Sequence, residues 1–342
     1  MAFPADAATG RLRIATWNVE LARDGPGLLL RDLRRDDNPQ IAAVIAVLVA
    51  LDADVLLLTN FDYDAGLAAL GQLAERLADA GAPYPHRFAL RPNRGWQTGI
   101  DLDGDGSAGG PGDAQGWGLF SGHKGMAILS RLAIDEGAVR DFSRFLWADL
   151  PDTLMPDASD GIRTVQRLST TGHWEVPLIL PGGRRLRLLA YHAAPPAFDD
   201  GDRNARRNHD ESAFWVALLD GRLPFAAPEP PFVLLGDSNH DPEDSDGRPE
   251  AIRALLAHPQ LNDTGPRGAG GHPADPGHRG DPAMDTARFS PAGGLRVDLV
   301  IPWAGLDVIS AGVMRPGAGD PMLVELEAAS RHFPVWADIA LP

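Results

Sequence analysis

Apolar runs in this chain end on polar side chains of the kinds that bind phosphate, activate water or hold a cation. Asn18 closes LRIATWN, Asn60 closes DVLLLTN, His192 closes RLRLLAYH, and Asp237 with Asn239 follows FVLLG. In layered α/β folds the strand ends converge on one edge, so residues distant in sequence can meet in one cleft. A lone Asn or His at a strand end serves equally well as a structural hydrogen-bonding group. In GDSN, Gly236 tightens the turn, and Asp237 and Asn239, two positions apart, present an acceptor and an amide on one side. That pairing suits a nucleophilic water and a phosphate oxygen, and the same four letters also describe an Asx-turn after a strand.

Three further constellations stand outside the strand ends. RNARRNHDE places Arg203, Arg206, Arg207 and Asn208 at the start of an apolar helical pattern, where guanidinium groups and a helix N-terminus could bind an anion; an exposed charged helix start reads the same way. His173, just before WEVPLIL, is a candidate for the cleft wall. DLDGDGS sets Asp101, Asp103, Asp105 and Ser107 at alternate positions with Gly106 between, like the first half of a calcium loop. The distal bidentate Glu is missing, because position 112 is Gly, so the alternatives are a structural Ca²⁺ completed by Asp113 or a flexible acidic turn.

The elements that must hold these groups follow from periodicity. LRIATWNV alternates as a strand that delivers Asn18 at its C-terminal end. Asn38 and Pro39 signal a helix start, and Ile41, Val44, Ile45, Leu48 and Leu51 recur at helical spacing. DVLLLTN reads as a buried strand. A second helix is expected over 65–80, closed by Gly81, and a third over Asn208 to Leu219. MAILS, FVLLG, RVDLVIP, LDVISAGV and FPVWADIAL read as strands, WEVPLIL and RLRLLAYH as a hairpin turned by Pro181-Gly182-Gly183, and RPEAIRALLAHP as a helix. Residues 91–122 and 264–294 are long loops that frame a site. This mixture predicts an α/β fold: a four-layer sandwich of two packed mixed β-sheets flanked by helices. No repeat or linker tract divides residues 1–342, so one domain is expected.

Composition narrows the substrate. Against 31 Lys and Arg stand 47 Asp and Glu, a net charge of -16, and such a surface repels a polyanion unless local cations override it. Duplex nucleic acid is therefore disfavoured and a small phosphoester fits better. The chain has no Cys, which excludes disulfides and thiolate metal sites and leaves the compartment open. MAFPADAATG lacks a signal-peptide pattern, and the apolar run Ile41 to Leu51 is too short to span a bilayer. A soluble chain is expected, and nothing in it points to a protein partner.

WNVE at 17–20, GMAILSR at 125–131, LLAYHAAPP at 188–196, LLGDSNHDP at 234–242, LRVDLVIP at 295–302 and SRHFPVWADI at 330–339 resemble, in order, the motif series of the endonuclease/exonuclease/phosphatase superfamily, whose fold is that of deoxyribonuclease I. FDYD at 61–64, DLDGDG at 101–106, GGPGDA at 109–114, RNARRNHDE at 203–211 and HRGDP at 278–282 look similar to bacterial, often secreted members of unsettled substrate. The resemblance implies a secreted or periplasmic phosphoester hydrolase. It implies Asn18 near metal and phosphate, His192 and His332 on the scissile phosphate, Asp237 with Asn239 orienting the attacking water, and Asp298 bonded to His332.

Two positions depart from that pattern. The family carries a Glu metal ligand where this chain has Asn60, and an Asp before the final His where it has Arg331. Both changes remove an anionic oxygen from the expected Mg²⁺ or Mn²⁺ site. Asp62 or Asp64 could supply the missing carboxylate; Arg331 could replace the ion as a phosphate clamp; or turnover is lost and a phosphate-binding pseudoenzyme remains. The expected activity is that of a phosphatase or phosphodiesterase with an altered metal site, with nuclease action as a third alternative.

Overall fold

The computed structural model describes residues 10–199, 201–270 and 276–341. The reading of the N-terminus up to residue 9, and residues 271–275 of the second long loop, lie outside them. The strands are β1 (Arg11–Leu21), β2 (Val55–Phe61), β3 (His86–Phe88), β4 (Gly125–Ser130), β5 (Ala133–Ile134), β6 (Arg140–Asp141), β7 (Gly172–Ile179), β8 (Arg185–His192), β9 (Phe232–Asp237), β10 (Ala287–Phe289), β11 (Gly293–Leu295), β12 (Asp298–Pro302), β13 (Val308–Val313) and β14 (Val335–Ala340). The helices are α1 (Leu28–Leu33), α2 (Pro39–Leu51), α3 (Ala68–Asp79), α4 (Asp160–Arg163), α5 (Arg203–Leu219), α6 (Glu250–Leu256) and α7 (Pro321–Ala329).

Two six-stranded mixed sheets result, as expected. One runs β13-β14-β1-β2-β4-β3; the other runs β12-β9-β8-β7-β5, with β6 also on β7. Parallel pairing occurs within β1–β2 and β8–β9, and the remaining pairs are antiparallel. In the second sheet, residues of one parity face the first sheet and residues of the other face α5 and α6. Leu188, Ala190, Val233, Leu235 and Val300 belong to the core between the sheets, while Leu189, Tyr191, Phe232, Leu234, Leu299 and Ile301 pack with Phe214, Trp215 and Leu218 of α5 and Ile252 of α6. Both faces are covered, which is why LLAY of β8, FVLL of β9 and LVIP of β12 read as unbroken apolar runs. α2, α3 and α7 cover the outside of the first sheet with Ile41, Leu48, Leu73, Leu77 and Leu326. Among the described residues no helix is long and apolar enough to cross a membrane.

Local chemistry sets the helix ends. Asn38 accepts from the amide of Ile41 at 3.1 Å ahead of Pro39, the expected start of α2. Three boundaries differ from the sequence reading. α3 begins at Ala68 rather than near residue 65, because Asp64 accepts from the amides of Gly66, Ala68 and Ala69 and holds the chain in a turn first. α5 begins five residues earlier than expected. α7 has no counterpart among the elements expected from the sequence; Asp320, which accepts from Met322 N at 2.9 Å, and Pro321 start it.

The Asp64 carboxylate, one of the two alternatives for the missing metal ligand, thus caps the start of α3. Asp64→Ala should lower stability by about 1 kcal/mol in chemical denaturation and leave any divalent-ion dependence of activity unchanged. Loss of ion dependence at full stability would return Asp64 to the metal site.

Candidate active site

The pairing registers assemble the site before any side chain is considered. His192 of β8 lies opposite Asp237 of β9, and Asp237 lies opposite Asp298 of β12, so three polar residues occupy one rung of the second sheet. They continue the parity of Ala190, Leu235 and Val300, the face turned to the first sheet. β8 and β9 close here only because residue 236 is glycine: its φ is 143°, and a Cβ would sit 1.9 Å from Tyr191 O.

Two carboxylates on neighbouring strands repel, and these two are fully buried. Donors compensate. Asn18 Nδ2 and the Asn239 amide each donate to Asp237 at 2.8 Å, and His192 Nε2 lies 3.5 Å from the same carboxylate. Thr286 Oγ1 donates to Asp298 at 2.9 Å, and His332 Nδ1 meets it at 2.8 Å. Burial first, and the Asp298 charge second, still push the Asp237 carboxyl well above the usual carboxylate range. Burial alone would lower His332, but the Asp298 charge and hydrogen bond, helped by Asp237 and Glu20, raise it to about 9. His192 is held well below the ordinary value by burial and by Arg94. Burial thus favours the neutral form of His192 and the protonated form of Asp237 on the rung, while Asp298 favours the charged form of His332 beside it.

The first sheet contributes Asn18 on β1 and His332 just before β14. Trp17 Nε1 donates to His332 O at 2.9 Å, and Ser330 Oγ donates to Asn18 O at 2.7 Å, which locks the two contributors together. At the rim Arg331 grips Glu20 through its backbone amide at 2.9 Å and its guanidinium. Burial raises Glu20, but these hydrogen bonds hold its carboxyl below the usual range.

Comparison with known proteins agrees with this architecture. Residues 15–332 match the model of the Endonuclease/Exonuclease/phosphatase family. The chain belongs to that family. A structure of an endonuclease/exonuclease/phosphatase from Beutenbergia cavernae is 22% identical with a TM-score of 0.55, over 97% of this chain and 72% of that one. The human Nocturnin catalytic domain is 14% identical with a TM-score of 0.51, over 96% of this chain and 94% of that one. No curated protein matches. The family is in general one of hydrolases that use a divalent metal, which gives the site a chemical frame.

The donors around Asn18 and Asn60 can now be tested against such an ion. Asn60 Oδ1 is buried with no partner, an open donor but a neutral one. Asn18 spends its Nδ2 on Asp237, and its Oδ1 accepts from Glu20 N at 3.3 Å. Asp62 gives one oxygen to Arg23 N at 2.7 Å and the other to Lys124 N at 2.9 Å, and burial lifts its pKa to about 6. Asp64 caps α3, and Glu20 is paired with Arg331. Mg²⁺ and Mn²⁺ take anionic oxygens first, so this donor set does not fit the ion at Asn18 and Asn60. Asp237, Asp298 and His332 do offer atoms within 4.8 Å of one another, but as an internally hydrogen-bonded group.

Several expected site residues have other work. Asp62 accepts from the amides of Arg23 and Lys124, Asp64 caps α3, and Arg331 is ion-paired with Glu20. His173 is a core histidine: Nδ1 meets Ser169 Oγ and Nε2 meets Glu211 O, both at 2.9 Å, its ring stacks on Trp215, and burial lowers it to about 4. Arg203 and Arg206 lie in the first turn of α5, with Arg206 on Asp202 at 2.8 Å. Arg207 is buried and donates to the carbonyls of Gln115, Arg167, Leu168 and Ser169. Asn208 donates to Ala194 O and Ser238 O, holding the turns after His192 and Asp237. Asp298 does not pair with Arg296, which binds Asp263. Asp101, Asp103 and Asp105 converge, each already accepting a backbone amide of its own loop, and a Cβ on Gly112 would sit 2.0 Å from Asp103.

The sequence reading missed Thr286, Glu211 and the role of Glu20. Glu211 accepts from Ala194 N at 2.7 Å and from Thr170 N, and burial lifts it to about 7. Its letter stood inside RNARRNHDE, but nothing local says that a helix would turn it inward. Arg207→Met should cost at least about 2 kcal/mol, since buried carbonyls lose their donor, and should leave affinity for inorganic phosphate unchanged. Calorimetry showing lost phosphate binding at unchanged stability would restore the anion-binding reading of this arginine.

Proposed function

We propose that this chain is a phosphoester hydrolase, a phosphatase or phosphodiesterase for a small phosphorylated substrate, with an altered metal site. The observation that carries the reading is the buried rung on which His192, Asp237 and Asp298 meet Asn18 and His332. Asp237, raised by its surroundings, takes the proton of a water that attacks phosphorus. Asn239 donates its Nδ2 to Ala193 O, which leaves its carbonyl oxygen to orient that water. As the water oxygen bonds to phosphorus and the ester oxygen departs, charge develops on the phosphoryl oxygens, and the His332 imidazolium, kept charged by Asp298, opposes it. The neutral His192 is available as a donor. Members of the family in general use a divalent metal.

The acidic surface favours small substrates over duplex nucleic acid. Within the same proposal the loop at 101–107 holds a structural Ca²⁺; chelation should then lower the melting temperature of the parent but not of Asp103→Ala.

A screen of nitrophenyl and bis-nitrophenyl phosphates, with and without Mg²⁺ and Mn²⁺, tests the main claim. Asp237→Asn should lower turnover by a factor on the order of 10² to 10⁴ with the fold intact. The rate should rise as Asp237 loses its proton, on the neutral side of the usual carboxylate range, and fall near pH 9 as His332 loses its own. No turnover with retained phosphate binding would identify a pseudoenzyme, and full activity in Asp237→Asn would refute the assigned base.

A further inference from the structure

Arg94 is a guanidinium buried without a carboxylate. It is 6% exposed, its Nε donates to Thr171 Oγ1 at 2.9 Å, and its Nη1 approaches Trp117 O only at 3.5 Å. Among the described residues no Asp or Glu lies within 4.0 Å of it, and Nη2 has no partner. A guanidinium has five N–H donors, and a buried charge is costly unless something anionic faces it. Arg207, also buried, differs in that its Nε and Nη2 together donate to four backbone carbonyls.

A second cation stands beside it. Lys124 is half-buried, its ammonium makes no ion pair among the described residues, and the nearest ring, Trp117, is 5.7 Å away. Its backbone is left-handed at φ 51°, a cost that non-glycine residues bear where surrounding structure demands it. The two segments are fixed together: Gly122 N donates to Arg94 O at 3.4 Å, and a Cβ on Gly95, at φ 70°, would sit 1.8 Å from Phe120 O. Arg94 and Lys124 repel each other, Arg94 lowers His192, and Asp237 and Glu211 feel its charge. Thr171, which holds Arg94, precedes Gly172, the residue opposite His192, so the pair borders the catalytic rung; the opposite charges that face it, Glu211 and Asp237 toward Arg94 and Glu20 and Asp62 toward Lys124, make no ion pair with either cation among the described residues.

We propose that Arg94 and Lys124 form the receptor for the phosphoryl oxygens of the substrate, supplying positive charge beside a donor set that does not fit a divalent ion. This rests on the hydrolase reading for the identity of the anion. Arg94 offers a planar fork and Lys124 a point charge, the combination that grips a phosphoryl group from two directions. The rim cation Arg331 contributes no comparable charge because Glu20 neutralises it.

Calorimetric titration of the full chain with inorganic phosphate tests the receptor. The parent should bind, and Arg94→Gln and Lys124→Gln should each weaken binding at least about tenfold, raising KM for the phosphoester by a similar factor. Arg94→Lys should recover part of the loss. If Arg94→Gln does not fold, the half-buried Lys124→Gln decides alone. Affinities within about twofold of the parent in the folded variants, or no phosphate binding by the parent, would overturn the proposal. Asp237→Asn separates it from the reading beneath: turnover lost there while Arg94→Gln and Lys124→Gln behave as the parent leaves a hydrolase and removes the receptor. Turnover kept in Asp237→Asn, with phosphate binding lost in the other two, removes the mechanism and leaves the receptor.

Discussion

Two carboxylates, Asp237 and Asp298, stand on adjacent strands of one buried rung, and the rest of the site is arranged around keeping them there. Unopposed, such a pair would protonate or drive the strands apart. Asn18 and the Asn239 amide answer one, and Thr286 and His332 answer the other. Because Asn18 and His332 belong to the first sheet, the compensation also ties the two sheets together. The His332 pair is a pH-linked contribution to stability: its folded pKa is raised to about 9, so the contribution is complete below about 6.5 and is lost as pH rises through 9.

Much of this was legible before any coordinates. The periodicity of apolar residues named the strands, and the covered faces of β8 and β9 explain why LLAY at 188–191 and FVLL at 232–235 are uniformly apolar. His192 and Asp237 could be singled out because each ends such a run, and Asp298 through the family resemblance alone. Position on a rung was not legible, since register depends on pairings between strands far apart in the chain. The same limit explains the misreadings. Arg207 and His173 have the letters of a binding site, but helix phase turns one onto four carbonyls and strand parity turns the other against Trp215. Arg94 sits in a Gly-rich loop without periodicity, so nothing in its neighbourhood announces a buried charge. α7 escaped notice because PMLVELEAA carries little contrast between its faces.

Four of the eight described non-glycine residues with positive φ fall in the same region. Glu20, Asn60, Lys124 and Asn239 are non-glycine residues with φ between 47° and 57°, and each lies at or beside the site. Single residues in that conformation persist where surrounding contacts over-determine them. Here the contacts are those that bring β1, β2, β4 and β9 to a common edge. The chain as a whole is acidic at -16, and this edge sets the cations His332, Arg94 and Lys124 among the carboxyl groups of Asp237, Asp298, Glu20 and Asp62.

The central claim is that Asp298 keeps a buried imidazolium at position 332 in the working pH range. A nitrogen-detected NMR titration of the His332 ring tests it most directly. In the parent the ring should stay protonated through neutrality and titrate near pH 9, and in Asp298→Asn its pKa should fall below the ordinary histidine value. A ring that is already neutral at pH 7 in the parent, or one whose titration Asp298→Asn does not move, would contradict the account.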